Sequence, residues 1–248
     1  ISVVQHDGPS RVVPDACMDV IFRGGRLEFA GIDTRPMPVQ LGRGAVVVGV
    51  RFAPGHGQRI LGISADALRD ARVPLVEHWG DRARELEQQL SAAESPLAAA
   101  QQLEAALAQE LLHSPPADRL VQAVIAHVER DPSESWSIAA LAREVGVSER
   151  QLLRRCQAQL GYGPKVLARV LRFQWFRREL VRAPTRSLSE LGLAAGYADQ
   201  AHLGHEVQAL AGTTPGQLQR EAQQAASDSD KTSTTARVQA RAYEDHHP

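Results

Sequence analysis

At 248 residues, with 43% hydrophobic and 23% charged side chains, the chain has the balance of a folded globular protein and the length for two domains. That balance excludes disordered and fibrous classes, and two cysteines, Cys17 and Cys156, are too few for a disulfide framework and read as free thiols in separate domains. The net charge of −1 hides an asymmetry: Trp136–Arg220 carries twelve bases against six acids, the footprint of a nucleic-acid-binding segment, while the first 135 residues are net acidic.

In chain order, strands are predicted first, at Val12-Val13, Cys17–Phe22, Arg26–Phe29 and Ala45–Phe52. These runs are rich in β-branched and aromatic residues and are separated by Pro-Asp, Gly-Gly and Gly-Arg-Gly turn signals. A small, mostly antiparallel sheet is expected. After Pro54 the periodicity turns helical, with short candidates at Gln58–Gly62 and Ala65–Ala71 and longer ones at Asp81–Ala93 and Pro96–His113. Ser95-Pro96 supplies an N-cap and a proline at the first helical position. Ser114-Pro115-Pro116 breaks the pattern, which divides the chain into an α+β domain at 1–114 and an all-α domain at 115–220, the latter opening on a helix at Asp118–Arg130. From Glu221 to Pro248 there is almost nothing to bury, and a disordered tail is expected. No apolar run approaches the ~18 residues that a bilayer crossing needs, and the amino end shows no basic segment followed by an apolar one. A cytoplasmic protein without a membrane partner is the expectation.

Between Ile138 and Ala211 the chain repeats itself. Ile138, Leu141, Ala142 and Gly146 return fifty residues later as Leu188, Leu191, Gly192 and Gly196. Each copy marks one face of a short helix, places a small residue where a second helix must approach, and ends on a glycine suited to a left-handed turn. A second helix then opens, at Ser148-Glu149-Arg150-Gln151-Leu152 and at Asp199-Gln200-Ala201-His202-Leu203, behind the N-caps Ser148 and Asp199. This is the pattern of a double helix-turn-helix. In the first unit Leu152, Cys156 and Leu160 point inward, leaving Arg150, Gln151 and Arg154 outward. Arginine can grip guanine O6 and N7, and glutamine adenine N6 and N7, so this row has the chemistry to read a major groove. In the second unit Leu203 and Val207 point inward and leave Gln200, Ala201 and His205 outward, a much less basic face. Each arginine taken singly reads more readily as a solvated helix charge; the duplicated turn and the excess of positive charge together favour base reading. His202 and His205 stand between a surface role and DNA contact, and Cys156 reads as a core residue.

The runs Gly161-Tyr162-Gly163-Pro164-Lys165, Arg172-Phe173-Gln174, Ala194-Ala195-Gly196-Tyr197-Ala198-Asp199-Gln200-Ala201-His202-Leu203 and Gly212-Thr213-Thr214-Pro215 resemble the AraC/XylS family of transcription regulators. The resemblance implies two helix-turn-helix units joined by a long helix, here about Pro164–Val181, that present their second helices to successive major grooves on one DNA face, about one turn or roughly 34 Å apart. The implied readers are Arg150, Gln151 and Arg154, then Gln200, Ala201 and His205. The implied partners are promoter or operator DNA, RNA polymerase, a small-molecule effector and a second copy of the chain. The sequence departs from the family at Cys156, Leu203 and Val207, where phenylalanine is usual, and at His205, where Arg or Lys is usual. Pro14-Asp15-Ala16-Cys17-Met18-Asp19-Val20-Ile21-Phe22, Gly49-Val50-Arg51-Phe52-Ala53-Pro54-Gly55 and Pro74-Leu75-Val76-Glu77-His78-Trp79-Gly80 resemble an uncharacterised domain found ahead of this module in some bacterial regulators. That resemblance implies a sensing or dimerisation role.

An enzyme is not expected. Asp15, Cys17, Asp19, Arg51, His56 and His78 fall in no catalytic spacing, and the chain has no Gly-rich phosphate loop, His-Glu-x-x-His pair or Gly-x-Ser-x-Gly elbow. No metal or other cofactor is expected. Asp15, Cys17 and Arg51 are the candidate ligand-binding residues, with Arg51 available to an anionic group; a structural ion pair with Asp15 or Asp19 is the rival role. Cys17 is either a buried strand thiol or a reactive sensor.

Overall fold

The computed structural model describes residues 1–6, 10–42, 44–131 and 136–229. Among the described residues seven strands come first, with two single 3-10 turns, at Gly57–Ile60 and Ala65–Leu68, before the last of them. They are β1 (Ser2–His6), β2 (Ser10–Val12), β3 (Met18–Arg23), β4 (Arg26–Ala30), β5 (Met37–Val39), β6 (Ala45–Phe52) and β7 (Arg72–Pro74). The helices of the amino-terminal part are α1 (Val76–Trp79), α2 (Asp81–Ser91) and α3 (Pro96–His113). The carboxyl-terminal part is α4 (Arg119–Arg130), α5 (Ile138–Glu144), α6 (Glu149–Leu160), α7 (Pro164–Arg182), α8 (Leu188–Ala194), α9 (Gln200–Ala211) and α10 (Pro215–Ser229). The fold is thus an α+β domain followed by an all-α domain.

Five strands pair antiparallel in the order β1-β6-β3-β4-β7, and β2 with β5 makes a separate two-stranded ribbon. The register follows the period-2 alternation that puts Met18 and Val20 of β3 and Val48, Val50 and Phe52 of β6 into the core. Ala99, Ala100, Leu103 and Leu107 form the buried stripe of α3, which packs against β6 and β1, and α2 lies against β4. There the buried Glu87 accepts the Leu27 amide at 2.8 Å, satisfying a β4 donor that would otherwise be lost from water.

Two expectations are corrected. Gln58–Gly62 and Ala65–Ala71 are not short α-helices but the two four-residue 3-10 turns; the first is stopped at once by Gly62 at φ 65°, the second by extended backbone at Arg69 and by Asp70 at φ 53°. The disordered tail does not begin at Glu221, because α10 continues to Ser229. Leu218 and Ala222 keep this helix on the core, Gln219 and Gln223 donate to the Pro184 carbonyl at 3.0 and 2.9 Å, and Glu221 receives Arg11 at 2.8 and 2.6 Å. Positions 230–248 of the expected tail lie outside the described residues.

The buried apolar residues form one continuous cluster from Val13 to Leu218, crossing from the sheet into the helices. Because this cluster is continuous, the two parts share a core and do not merely touch, and each fully buried Val, Leu, Ile, Phe or Met in it is worth roughly 1.5–3 kcal/mol. Among the described residues no helix is long and apolar enough to cross a membrane.

Candidate nucleic-acid interface

The two halves of the carboxyl-terminal module are built by the same local rules at an offset of fifty or fifty-one residues. Ser137 and Ser187 cap α5 and α8, accepting from Ala140 at 3.1 Å and Glu190 at 3.2 Å. Each helix ends in a left-handed glycine, Gly146 at φ 73° and Gly196 at φ 84°, a conformation that costs other residues roughly 1–2 kcal/mol. The turn is closed by Val147 N–H to Ala142 O in one copy and Tyr197 N–H to Gly192 O in the other, both 3.0 Å. Leu141, Ala142, Leu191 and Gly192 are buried. A Cβ on Gly192 would stand 3.0 Å from Leu203 Cδ2, which is why the small residue recurs where the second helix crosses. The repeat runs further than the turn, because α6 and α9 also end in left-handed glycines, Gly161 at φ 78° and Gly212 at φ 65°, and the next helices, α7 and α10, both open on proline.

Ser148 starts α6 with a capping box: its hydroxyl accepts the Gln151 amide at 3.3 Å while Gln151 Oε1 accepts the Ser148 amide at 3.0 Å. Leu152, Cys156 and Leu160 are the buried face of α6. Arg150 and Arg154 are exposed and make no hydrogen bond or ion pair with the described residues, so both guanidinium groups are available at the surface. Gln151 is exposed as well, but its carbonyl oxygen is committed to the cap. A two-pronged contact to adenine needs that oxygen, so it requires the capping box to open. In α9, Gln200, Ala201 and His205 are exposed. The Gln200 amide donates to Ser189 on α8. His202 is a scaffold residue, its Nδ1 accepting the Ala198 amide at 3.3 Å and its ring standing edge-on to Tyr197 at 5.3 Å.

The third arginine of the α6 run does a different job. Arg155 forks onto Asp118, Nε to Oδ2 at 2.7 Å and Nη2 to Oδ1 at 2.6 Å, and the same carboxylate caps α4 through the Leu120 and Val121 amides at 2.9 and 3.3 Å. Partial burial pushes the Asp118 carboxyl up, but the Arg155 and backbone hydrogen bonds outweigh it and hold the group below the ordinary aspartate range. This clamp fixes α6 on α4, and sequence reasoning missed it because its partners are 37 positions apart and each is an unremarkable surface residue type. Lys165 at the start of α7 stacks over Trp136 at 4.0 Å. The amino-terminal domain also reaches α6: Arg69 donates to the Gly161 carbonyl, with Nε at 2.9 Å, and Gln58 donates to Gln159.

Asp15 and Cys17 lie in the segment just before β3, where the Cys17 amide donates to Asp15 at 3.0 Å and Asp15 meets Arg51 of β6. Arg51 meets Asp15 at 2.9 Å and Asp19 at 2.9 and 3.1 Å, so an anionic ligand would have to displace a carboxylate already in place. Burial raises the Asp15 carboxyl above its ordinary range against the pull of Arg51. Burial, then the Asp15 charge, pushes the Cys17 thiol well up, the opposite of what a reactive thiolate needs. Cys156 is fully buried, and its thiol is pushed up to about 12, first by that burial. Among the described residues no cluster of His, Cys, Asp and Glu could hold a metal ion.

Residues 141–221 match the family model of a helix-turn-helix domain, and residues 2–74 match a Domain of unknown function (DUF6597). Over 104 residues, 42% of this chain, the sequence is 29% identical to an AraC-like transcription regulator of Streptomyces antibioticus and 27% identical to the HTH-type transcriptional regulator MtrA of Neisseria gonorrhoeae. That stretch spans about a third, 34%, of the length of each relative. The fold is also that of ToxT from Vibrio cholerae, with a TM-score of 0.50 at 9% identity over 88% of this chain and 97% of that one. The carboxyl-terminal part thus matches a helix-turn-helix domain and resembles AraC-like regulators, and the part before it matches the domain of unknown function.

Proposed function

We propose that this AraC-type module makes the chain a sequence-specific DNA-binding transcription regulator that reads two successive major grooves, and that the amino-terminal domain modulates it. The observation that carries the reading is the pair of equivalent helix-turn-helix units, one of which offers Arg150 and Arg154 to solvent with no internal partner among the described residues. Opposite charge supports it too, through the excess of six bases over Trp136–Arg220 that a phosphate backbone would neutralise.

The two units contribute unequally. The α6 face carries two free guanidinium groups, each able to fork onto a guanine, whereas the exposed α9 face carries Gln200, Ala201 and His205 and no arginine or lysine. The first unit therefore supplies more of the affinity, and Gln151 acts first as the cap that sets where α6 begins. The partners in this reading are promoter or operator DNA, RNA polymerase, a second copy of the chain and a small-molecule effector; ToxT, which shares the fold, was solved bound to (E)-4-(8-methylnaphthalen-1-yl)but-3-enoic acid. Asp15, Cys17 and Arg51 are the proposed place of effector input, beside the inner strands β3 and β6 of the sheet, where Gln174 of α7 donates to the nearby Pro14 carbonyl at 2.6 Å.

Selection of bound sequences from random DNA tests the reading. The full chain should enrich an asymmetric site with two short determinants about one helical turn apart. In Arg154→Ala, preference should relax at one determinant by a factor that corresponds to about 1–3 kcal/mol per base pair, with the other determinant unchanged. A uniform loss of affinity across all sequences would make Arg154 a phosphate contact, and enrichment of no sequence would overturn the reading.

A further inference from the structure

The loop between β4 and β5, Gly31 to Pro36, belongs to the amino-terminal domain, yet it touches the carboxyl ends of both reading helices. Ile32 is buried against Gly161, the left-handed residue that ends α6, so closely that a Cβ there would overlap Ile32 Cγ2 and sit 3.1 Å from the Ala65 carbonyl. Four residues on, Pro36 lies against Gly212, the left-handed residue that ends α9, where a Cβ would stand 3.2 Å from Pro36 Cγ. The two contacts fall on corresponding positions of the repeat, so one short segment spans equivalent points of the two units.

The same loop is held rigid from behind by Leu68–Arg72. Asp33, only 7% exposed, takes both prongs of Arg72 at 3.0 and 2.8 Å. Thr34 donates its amide and its hydroxyl to the Asp70 carboxylate, both at 2.8 Å, and the Asp70 amide returns to the Ile32 carbonyl at 2.8 Å. Gly31 presses so closely on the Leu68 carbonyl that no side chain fits. The bracing segment also supplies Arg69, whose guanidinium fastens the Gly161 carbonyl. A floppy surface loop has no such network; packed groups with satisfied hydrogen bonds hold one geometry.

We propose that the Gly31–Pro36 loop is a spacer fixing the separation of the two reading helices, so that the amino-terminal domain, together with α7, sets the distance accepted between the two DNA determinants. Arg69 and Pro36 are positioning residues in this device, since neither lies on the exposed face of α6 or α9. The proposal rests on the reading that both helices engage DNA. It also locates where a change in the amino-terminal domain reaches the DNA-binding module: movement of one loop shifts the ends of both helices at once.

The test uses the full chain and the site it selects, with zero to three base pairs inserted between the determinants. The wild-type chain should lose about tenfold or more in affinity on insertion of two base pairs, the size of a lost determinant contact. In the double variant Arg69→Met, Pro36→Gly that loss should shrink to about threefold or less, with base preference inside each determinant unchanged, and Arg69→Lys, which keeps a donor for the Gly161 carbonyl, should restore most of the spacing dependence. Thermal unfolding checks that the variants are folded; should the double variant not be, Arg69→Met alone carries the same measurement, because it removes only a largely exposed side chain. Wild-type spacing dependence in a folded variant would overturn the proposal and leave α7 as the sole ruler. Enrichment of a single determinant by the wild-type chain would overturn it as well while sparing sequence-specific binding, whereas enrichment of none would instead remove the DNA-reading function itself.

Discussion

Arg150, Arg154 and Arg155 lie within six positions of one helix, and the structure gives them two different jobs. Arg150 and Arg154 stand free at the surface, while Arg155 is spent on Asp118. The inward spacing of Leu152, Cys156 and Leu160 was enough to identify the outward pair from sequence, because helical periodicity is local. The role of Arg155 was not legible, since it depends on a carboxylate brought near only by the packing of α4 on α6. Gln151 shows the same limit in reverse: its place on the outward face was readable, but its use as a capping partner competes with base reading. The cysteines divide likewise. Cys156 was identifiable as a core residue from its stripe, whereas the character of Cys17 depends on burial and on Asp15 across a turn. Both thiols are held in the protonated form, so the native chain at pH 7–8 should react with a thiol reagent far more slowly than the unfolded chain does. Rapid labelling of Cys17 in the folded protein would revive the sensor role.

At the scale of elements, α3, α4, α6 and α9 were read well because each carries its own signals: a serine or aspartate cap, an apolar stripe and a stop. α3 begins and ends where Ser95-Pro96 and Ser114-Pro115 place it. The strands β1, β5 and β7 were missed because they are sheet-edge or ribbon strands of three to five residues, made strands by partners far away in sequence and not by their own composition. The two 3-10 turns kept the apolar spacing of a helix without the length to form one. The clamp between α4 and α6 is the element-scale feature with a pH signature. The folded state holds the Asp118 carboxyl below its ordinary range, so the unfolded chain binds that proton first as pH falls. The stabilisation is therefore complete at neutral pH and is lost as pH drops from the ordinary aspartate range through the lowered value. Asp118→Asn keeps a good helix cap but removes the charge, so the variant should be less stable than wild type near pH 7 and the gap should close in strong acid. Denaturant unfolding measured at several pH values reads this directly, and a gap independent of pH would assign the loss to the cap and not to the ion pair.

At the scale of the whole molecule, an acidic sheet domain is joined to a basic helical module through a continuous core, a short proline-containing connection and a loop that meets the ends of both α6 and α9. The order of a sheet-bearing part followed by a duplicated helical part was legible in the strand-like runs and the fifty-residue repeat, which are properties of the sequence itself. The join was not, because residues such as Ile32, Pro36 and Arg69 carry no local mark of an interdomain role; only the fold places them beside Gly161 and Gly212. The proposed DNA reading requires α6 and α9 to meet one face of a duplex. Guanine methylation interference on a selected site tests this most directly, since a methyl on N7 projects into the major groove and obstructs a helix seated there as well as the fork of an arginine. Two interfering patches, the stronger one under α6, should appear about 10 base pairs apart on the same face. A single patch, or two patches half a turn out of phase, would contradict it.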